Sequence, residues 1–206
     1  MPSRPVKELE LASRPEGTEP SRALLLGPTV EVARALLGAW LLRRVAGKLY
    51  GARIVEVEAY LGVDDPAAHS FGGRRTARVE PMYAEGGHLY VFLVYGMHCC
   101  ANVVTRERGC PEAVLLRAAE APPGVDPKLL SGPGKLCRAL AIGRGHSGAD
   151  LREDRRFGLL LDPVEPGDIG TSERIGVDYA GDAAAWPLRF FVRGSPAISG
   201  PRALRG

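Results

Sequence analysis

The sequence lacks any hydrophobic run long enough to cross a membrane, and its first twenty residues contain no apolar segment typical of a secretion signal. The longest apolar run, near Tyr90 to Tyr95, is far shorter than a membrane-spanning helix requires. Internal repeats and an obvious domain linker are also missing. We therefore expect a single-domain cytoplasmic protein with reduced thiols.

Metal-binding motifs are also missing. The four cysteines, Cys99, Cys100, Cys110 and Cys137, form no C-x-x-C pair, and the histidines form no H-E-x-x-H motif. His69 and His98 together with the adjacent cysteines leave a zinc site as an alternative. However, adjacent residues in a strand point to opposite faces, so Cys99 and Cys100 are poorly placed to share an ion. We predict no metal and no cofactor.

The composition is that of an ordinary globular chain with a slight excess of positive charge. Hydrophobic residues make up 45% and charged residues 25%, and the formal net charge is +3. This charge permits a polyanionic partner without requiring one. The 26 glycines and 17 prolines predict many turns and short elements.

The periodicity predicts a mixed α/β class with mostly antiparallel strands. Residues 1–21 lack periodicity and predict a disordered tail, residues 22–200 a single domain, and residues 201–206 a short C-terminal tail. Two helices are expected, from Thr29, as a possible cap, to Leu37, and from Ser131 to Ile142. The expected strands are Trp40–Val45, Leu49–Tyr60, His88–Val94, Cys99–Thr105, Glu112–Ala119, Leu159–Leu161 and Leu188–Val192.

The most informative stretch begins with Arg53-Ile-Val-Glu-Val-Glu-Ala-Tyr60. Strict alternation would place Val55, Val57 and Ala59 on one face, and Ile54, Glu56, Glu58 and Tyr60 on the other. Carboxylates on a covered strand face are costly unless they are paired. Arg117, in an otherwise apolar strand, is a candidate partner that would keep Glu58 ionised, as a base that deprotonates water requires. The alternative is that Glu58 forms only a structural salt bridge.

A second candidate feature is the hairpin turn predicted at Tyr95-Gly96-Met97-His98. Large apolar side chains at such a turn can pack on the core, or they can form a wedge that enters DNA between base steps. Arg74 and Lys135 are candidate phosphate contacts, the latter near a helix start. Gly132-Pro-Gly-Lys135 is not a nucleotide-binding loop, because Leu136 stands where serine or threonine is needed.

An ordered series of motifs resembles the alkyladenine (3-methyladenine) DNA glycosylase family. It comprises Arg53 to Tyr60, Ala68-His69-Ser70 with Gly72-Gly73-Arg74, Leu89-Tyr90-Val91 with Tyr95-Gly96-Met97 and Asn102, Leu115-Leu116-Arg117-Ala118, Gly132-Pro133 with Lys135-Leu136-Cys137, Arg174-Ile-Gly-Val177, Pro187-Leu-Arg-Phe190 and Arg193-Gly194-Ser195. The resemblance spans roughly residues 25–196. It implies one α/β domain with a curved antiparallel sheet, flanking helices and a protruding hairpin that inserts into DNA.

The resemblance also implies residue roles in the hydrolysis of N-glycosidic bonds of damaged purines in duplex DNA. Glu58 would activate water, with Arg117 and the carbonyl of Ile175 holding that water. Tyr60, His69, Phe92 and Asn102 would form the base pocket. Tyr95 would fill the gap left by the flipped nucleotide, flanked by Met97. The chain would be a monomeric, bacterial, cytoplasmic enzyme that associates with the nucleoid when bound to DNA.

The sequence departs from vertebrate relatives at Phe92 and His98, where those relatives have tyrosine. Phenylalanine keeps the aromatic face but loses a hydroxyl. Two other functions remain open: a non-catalytic module that binds damaged DNA, and an RNA-binding or tRNA-modifying domain.

Overall fold

In the computed structural model, which describes residues 4–200, the central element is the 13-residue strand β2 (Lys48–Tyr60). One edge of β2 pairs with two strands in succession: β1 (Trp40–Val45) along its first half, and β8 (Arg189–Val192) along Glu56 to Glu58. The other edge pairs with β5 (Glu112–Glu120). The second half of β2 therefore lies between β5 and β8, so Glu56 and Glu58 have a paired strand on each side.

The remaining strands extend this arrangement into an open, eight-stranded antiparallel sheet. Strands β3 (Leu89–Val94) and β4 (His98–Thr105) form a hairpin, and β4 pairs with β5. At the far edge β6 (Phe157–Leu160) pairs with β1, while β7 (Ile169–Ser172) pairs with β8. The predicted class is confirmed, although the alternation did not reveal β7.

A bulge in β2 overturns part of the predicted face assignment. The register against β5 shifts on both sides of Glu56. As a result Ile54 lies in the main core with Val57 and Ala59, whereas Val55 packs in a small separate cluster with Ala118 and Ala197. A bulge inserts an extra residue, so strict alternation fails across it.

The helices are few and short: α1 (Arg22–Leu25), α2 (Thr29–Ala35) and α3 (Pro133–Ala139). Helix α2 buries Val32 and Ala33, and Leu36 just beyond it, against the sheet. Thr29 is the first residue of α2 rather than its cap; its hydroxyl hydrogen-bonds Thr105 and Glu112. No helix within residues 4–200 combines the length and apolarity needed to span a membrane.

The described part of the N-terminal segment is packed on the sheet, unlike the predicted disordered tail. Leu9 is fully buried in the main core. The amides of Val6 and Leu11 donate to the carbonyls of Ala139 and Leu49, both at 2.8 Å. The composition of this segment did not predict its packing, because one buried leucine and a few backbone hydrogen bonds suffice to hold a polar segment in place. The predicted tail at residues 201–206 and the first three residues lie outside the described part of the chain.

Candidate active site

Glu58 lies near the end of β2 and is fully buried, with three donors directed at its carboxylate. Oε1 accepts from the amide of Ile175 at 2.7 Å and lies 3.1 Å from Nη1 of Arg117. Oε2 accepts from the hydroxyl of Tyr60 at 2.9 Å. The structure therefore brings together Glu58, Tyr60, Arg117 and Ile175, four of the residues singled out from the sequence. Ile175 contacts Glu58 through its amide, a bond additional to the role in holding water that the resemblance implies for its carbonyl.

Two opposing influences act on the protonation of Glu58. Burial raises the pKa of the carboxyl above its ordinary value. Arg117, the Ile175 amide and the Tyr60 hydroxyl oppose this rise because each stabilises the ionised form. Burial also raises the pKa of Tyr60 well above its usual range, which keeps its hydroxyl available as a donor.

Arg117 in turn connects Glu58 to a second buried carboxylate. Its Nε donates to Oε1 of Glu56 at 3.0 Å. Glu56 also accepts from Nε of Arg189 at 2.7 Å, and from the amide and hydroxyl of Ser199. No role was predicted for Arg189 or Ser199, because neither stands in a sequence pattern that indicates proximity to β2.

A cleft of about 850 Å³ opens beside this network. Tyr60, Arg117 and Ile175 line it, so Glu58 lies directly behind the cleft wall. The predicted pocket residues His69, Phe92 and Asn102 line the same cleft, as do Tyr95 and Lys135. The volume is within the range of sites that enclose a small organic group.

The wall formed by β3 is aromatic. Tyr90 and Phe92 stack at 5.4 Å between ring centroids, and His69 meets Phe92 edge-on at 4.4 Å. Nδ1 of His69 lies 2.9 Å from the Tyr90 hydroxyl. Burial, reinforced by the charges of Arg78 and Arg74, lowers the pKa of His69 to about 4, so the imidazole is neutral at pH 7.

Asn102 lies on β4, opposite Tyr90, and its amide group donates to the Tyr90 carbonyl at 3.0 Å. This bond fixes the Asn102 side chain at the floor of the cleft. On the same strand Cys100 also lines the cleft while Cys99 lies in the main core. Within residues 4–200, no group of three His, Cys, Asp or Glu side chains is placed to hold a metal ion.

Arg174 is a further residue near the site for which the sequence predicted no role. It forms a fully buried bidentate ion pair with Asp65, and its guanidinium carbon lies 4.8 Å from the centre of the Tyr60 ring. Asp65 in turn accepts from the amides of Leu61 and Ala67. The pair thus holds the loop after β2 and supports the back of the Tyr60 ring.

The β3–β4 turn projects large side chains into solvent. Tyr95 is 89% exposed and Met97 69% exposed. Tyr95 and Gly96 have φ angles of 50° and 70°, the left-handed backbone of primed hairpin turns. The alternative that this turn packs on the core is therefore wrong.

The two predicted phosphate contacts lie at different places. Lys135 is exposed on α3 and lines the cleft. Arg74 lies in a stretch of exposed residues from Phe71 to Arg78 and is not part of the cleft lining. Besides Lys135, the lining includes Arg78, Arg117 and Arg138, and none of the lining residues within 4–200 carries a carboxylate.

Comparison with known proteins assigns the chain to a family. Residues 23–196 match the family model described as methylpurine-DNA glycosylase. Similar curated proteins include a provisional 3-methyladenine DNA glycosylase from Desulfitobacterium hafniense, 46% identical, with the match covering 82% of this chain and 92% of the relative. A protein of the same name from Bdellovibrio bacteriovorus is 46% identical over 80% of this chain and 90% of its own length. One from Bacillus cereus is 43% identical over 84% and 95%. This chain therefore belongs to the methylpurine-DNA glycosylase family.

Proposed function

We propose that this protein hydrolyses the N-glycosidic bond of alkylated purines, of the 3-methyladenine and 7-methylguanine type, in duplex DNA. Deaminated and etheno purines are the further lesions to test. The observation that carries the proposal is the position of Glu58, held by three donors directly behind an aromatic cleft. The family and the names of the bacterial relatives agree with this chemistry.

A purine inside a duplex is out of reach of such a cleft, so the nucleotide must first be flipped, at a cost of a few kcal/mol. The exposed Tyr95 at the hairpin apex is suited to occupy the gap left in the base stack. The aromatic residues Tyr60 and Phe92 offer faces on which the flipped base can stack. An alkylated, cationic base gains additional cation–π attraction there.

Glu58 is then the general base. It accepts a proton from a water molecule as the water attacks the sugar carbon that bears the purine. Arg117 and the Ile175 carbonyl would hold that water, and the negative charge of Glu58 would stabilise the positive charge that develops on the sugar. None of the side chains that contact Glu58 within residues 4–200 is a lysine, and we accordingly propose hydrolysis without strand cleavage.

The test uses duplexes with a single 3-methyladenine, 7-methylguanine, hypoxanthine or ethenoadenine, followed by alkaline cleavage of the abasic sites. Wild-type protein should release the alkylated bases. Failure to release any of these lesions would refute the proposed function.

Glu58→Gln separates an enzyme from a damage-binding module. We expect it to lower the single-turnover rate roughly 100-fold or more, since general-base catalysis contributes that much, while DNA affinity is retained. Glu120→Gln is the matched control, because Glu120 is on neighbouring β5 and hydrogen-bonds Ser195 away from the cleft. If the wild-type protein and Glu58→Gln bind damaged DNA equally well and the wild-type protein shows no turnover, the non-catalytic alternative is favoured. Competition with RNA addresses the third alternative.

Two further features are proposals of the same kind. We propose that the protein acts as a monomer on damaged duplex DNA and that it works in the bacterial cytoplasm at the nucleoid. Sedimentation of the protein with and without a damaged duplex would test the monomer, and a fluorescent fusion in bacterial cells would test the location.

A further inference from the structure

The carboxylate of Glu56 is fully buried behind the cleft wall and does not belong to the cleft lining. Its four donors come from three distant segments: Arg117 on β5, Arg189 on β8, and the amide and hydroxyl of Ser199. Ser199 lies beyond residue 196, where the family match ends. These four donors, two of them from guanidinium groups, satisfy the hydrogen-bonding needs of a carboxylate that water cannot reach.

The guanidinium of Arg117 is divided between the two carboxylates. Nε donates to Glu56 at 3.0 Å, Nη1 lies 3.1 Å from Glu58, and Nη2 donates to Ser199 at 3.2 Å. These contacts fix the plane of the group, so Arg117 cannot turn fully toward Glu58. The guanidinium of Arg189 binds Glu56, and Arg189 is also the residue of β8 that pairs with Glu58 in the sheet.

We propose that Glu56 is a positioning residue that sets the basicity of Glu58 by sharing its guanidinium partner, Arg117. With Arg117 to itself, Glu58 would hold its negative charge more firmly and would be a weaker base. A general base works best when its proton affinity is matched to the working pH. This inference rests on the proposed function, because it assumes that Glu58 accepts the proton from water.

The direction of the effect follows from the charges around Glu58. Tyr60 and Glu56 from β2, and Arg117 from β5, are the charged or titratable groups that act on it most strongly. Cys100 from β4 also interacts with its charge, as do Arg174 and Tyr179 from the segment after β7. Arg189, which binds Glu56, is its pairing partner on β8. Burial is the largest influence that raises the pKa of Glu58, and the charge of Glu56 raises it further. Removing the charge of Glu56 should therefore lower the pKa of Glu58.

The test is the pH dependence of single-turnover release of 7-methylguanine, a cationic leaving group that needs no acid. In Glu56→Gln, the acid limb of the pH–rate profile, where the rate rises as Glu58 loses its proton, should move to lower pH by about one unit. This is the size of effect that one close charge has on the pKa of a buried group. The plateau rate should fall because the base is weaker. Glu56→Asp keeps the charge and should restore the position of the limb.

Two further variants keep the result interpretable. Glu56→Gln leaves a buried positive charge that can prevent folding. The double variant Glu56→Gln with Arg189→Gln removes one charge of each sign and is therefore measured as well. Its acid limb should show the same movement to lower pH. Asp150→Asn breaks the partly buried pair with Arg22 away from the cleft and should lower stability without moving the limb.

The outcomes separate the inference from the function on which it rests. Wild-type protein that releases no base contradicts the proposed function. A wild-type enzyme whose acid limb stays in place in the folded Glu56→Gln or double variant, even with a reduced rate, contradicts the role of Glu56 alone. A limb that moves equally in Asp150→Asn also contradicts it.

Discussion

At the scale of single residues, the proposed reaction depends on holding one carboxylate in a state between two extremes. A glutamate buried without donors would be protonated and could not accept a proton. A glutamate with several strong donors would be too weak a base. Full burial raises the pKa of Glu58, whereas Arg117, the Ile175 amide and the Tyr60 hydroxyl lower it.

Tyr60→Phe tests this balance from the opposite direction to Glu56→Gln. The variant keeps the ring that faces the cleft but removes the hydroxyl that donates to Glu58 at 2.9 Å. Loss of this donor destabilises the ionised form, so the pKa of Glu58 should rise. The acid limb of the single-turnover rate should therefore move to higher pH by up to about one unit.

The control for this variant is Tyr83→Phe. Tyr83 is buried and its hydroxyl donates to the carbonyl of Arg74, outside the cleft. It should leave the limb in place. A limb that moves downward in Tyr60→Phe would contradict the assignment of the hydroxyl as a donor to ionised Glu58.

At the scale of elements, the β3–β4 hairpin combines two functions in one alternating pattern. The strand residues Tyr90, Phe92 and Asn102 face the cleft, whereas the turn carries Tyr95 and Met97 into solvent. A tyrosine in the left-handed region costs about 1 kcal/mol relative to glycine. Such strain, together with 89% exposure of a large ring, is typical of residues retained for function.

Tyr95→Ala should reduce excision from a fully paired duplex more than excision of the same lesion placed in a single-stranded gap. In the proposed function Tyr95 stabilises the flipped state, and an unpaired base reaches that state without help. We expect roughly a tenfold difference between the two substrates, equivalent to about 1.4 kcal/mol of flipping free energy. Single-turnover rates on both substrates measure it.

Val63→Ala serves as the matched surface control, because Val63 is exposed and is not part of the cleft lining. It should affect neither substrate. Equal losses on paired and unpaired lesions in Tyr95→Ala would show that the ring contributes to chemistry or to pocket structure instead of the flipped state.

At the scale of the whole molecule, the sheet provides the frame, and the described segments before α1 and after β8 complete it. The segment before α1 lies on β2 and near the end of α3, and the segment after β8 closes over Glu56 through Ser199. Both ends thus contribute to the environment of the central strand. The site depends on parts of the chain that are far apart in sequence.

Leu9→Ala should lower the free energy of unfolding by about 2–5 kcal/mol, because Leu9 is fully buried in the main core and its truncation leaves a cavity. Urea unfolding measures the change. Glu8→Ala, in the same short turn but exposed, should alter stability by less than about 0.5 kcal/mol. A negligible effect of Leu9→Ala would indicate that this segment is detached in solution.

Several elements could be predicted from local pattern alone. Strand β1 matches its expected bounds, and the β3–β4 turn lies at Tyr95-Gly96-Met97, because alternation and turn residues act over a few neighbouring positions. Glu58 and Arg117 were also recognisable, since a charge in an apolar strand requires a partner. The expected helix over Ser131 to Ile142 is shorter in the structure, Pro133–Ala139, and the hydroxyl of Ser131 donates to Ile198 instead of capping it.

The remaining features arise only when distant segments meet. The bulge at Glu56 depends on how β5 pairs with β2, and it moves Ile54 into the main core and Val55 out of it. The donors from Ile175 and Ser199 reach Glu58 and Glu56 across 117 and 143 positions of sequence. Local alternation indicates which residues are buried. Which of the buried residues contact one another is decided by the register between strands and by the packing of distant segments. No short stretch of sequence contains that information.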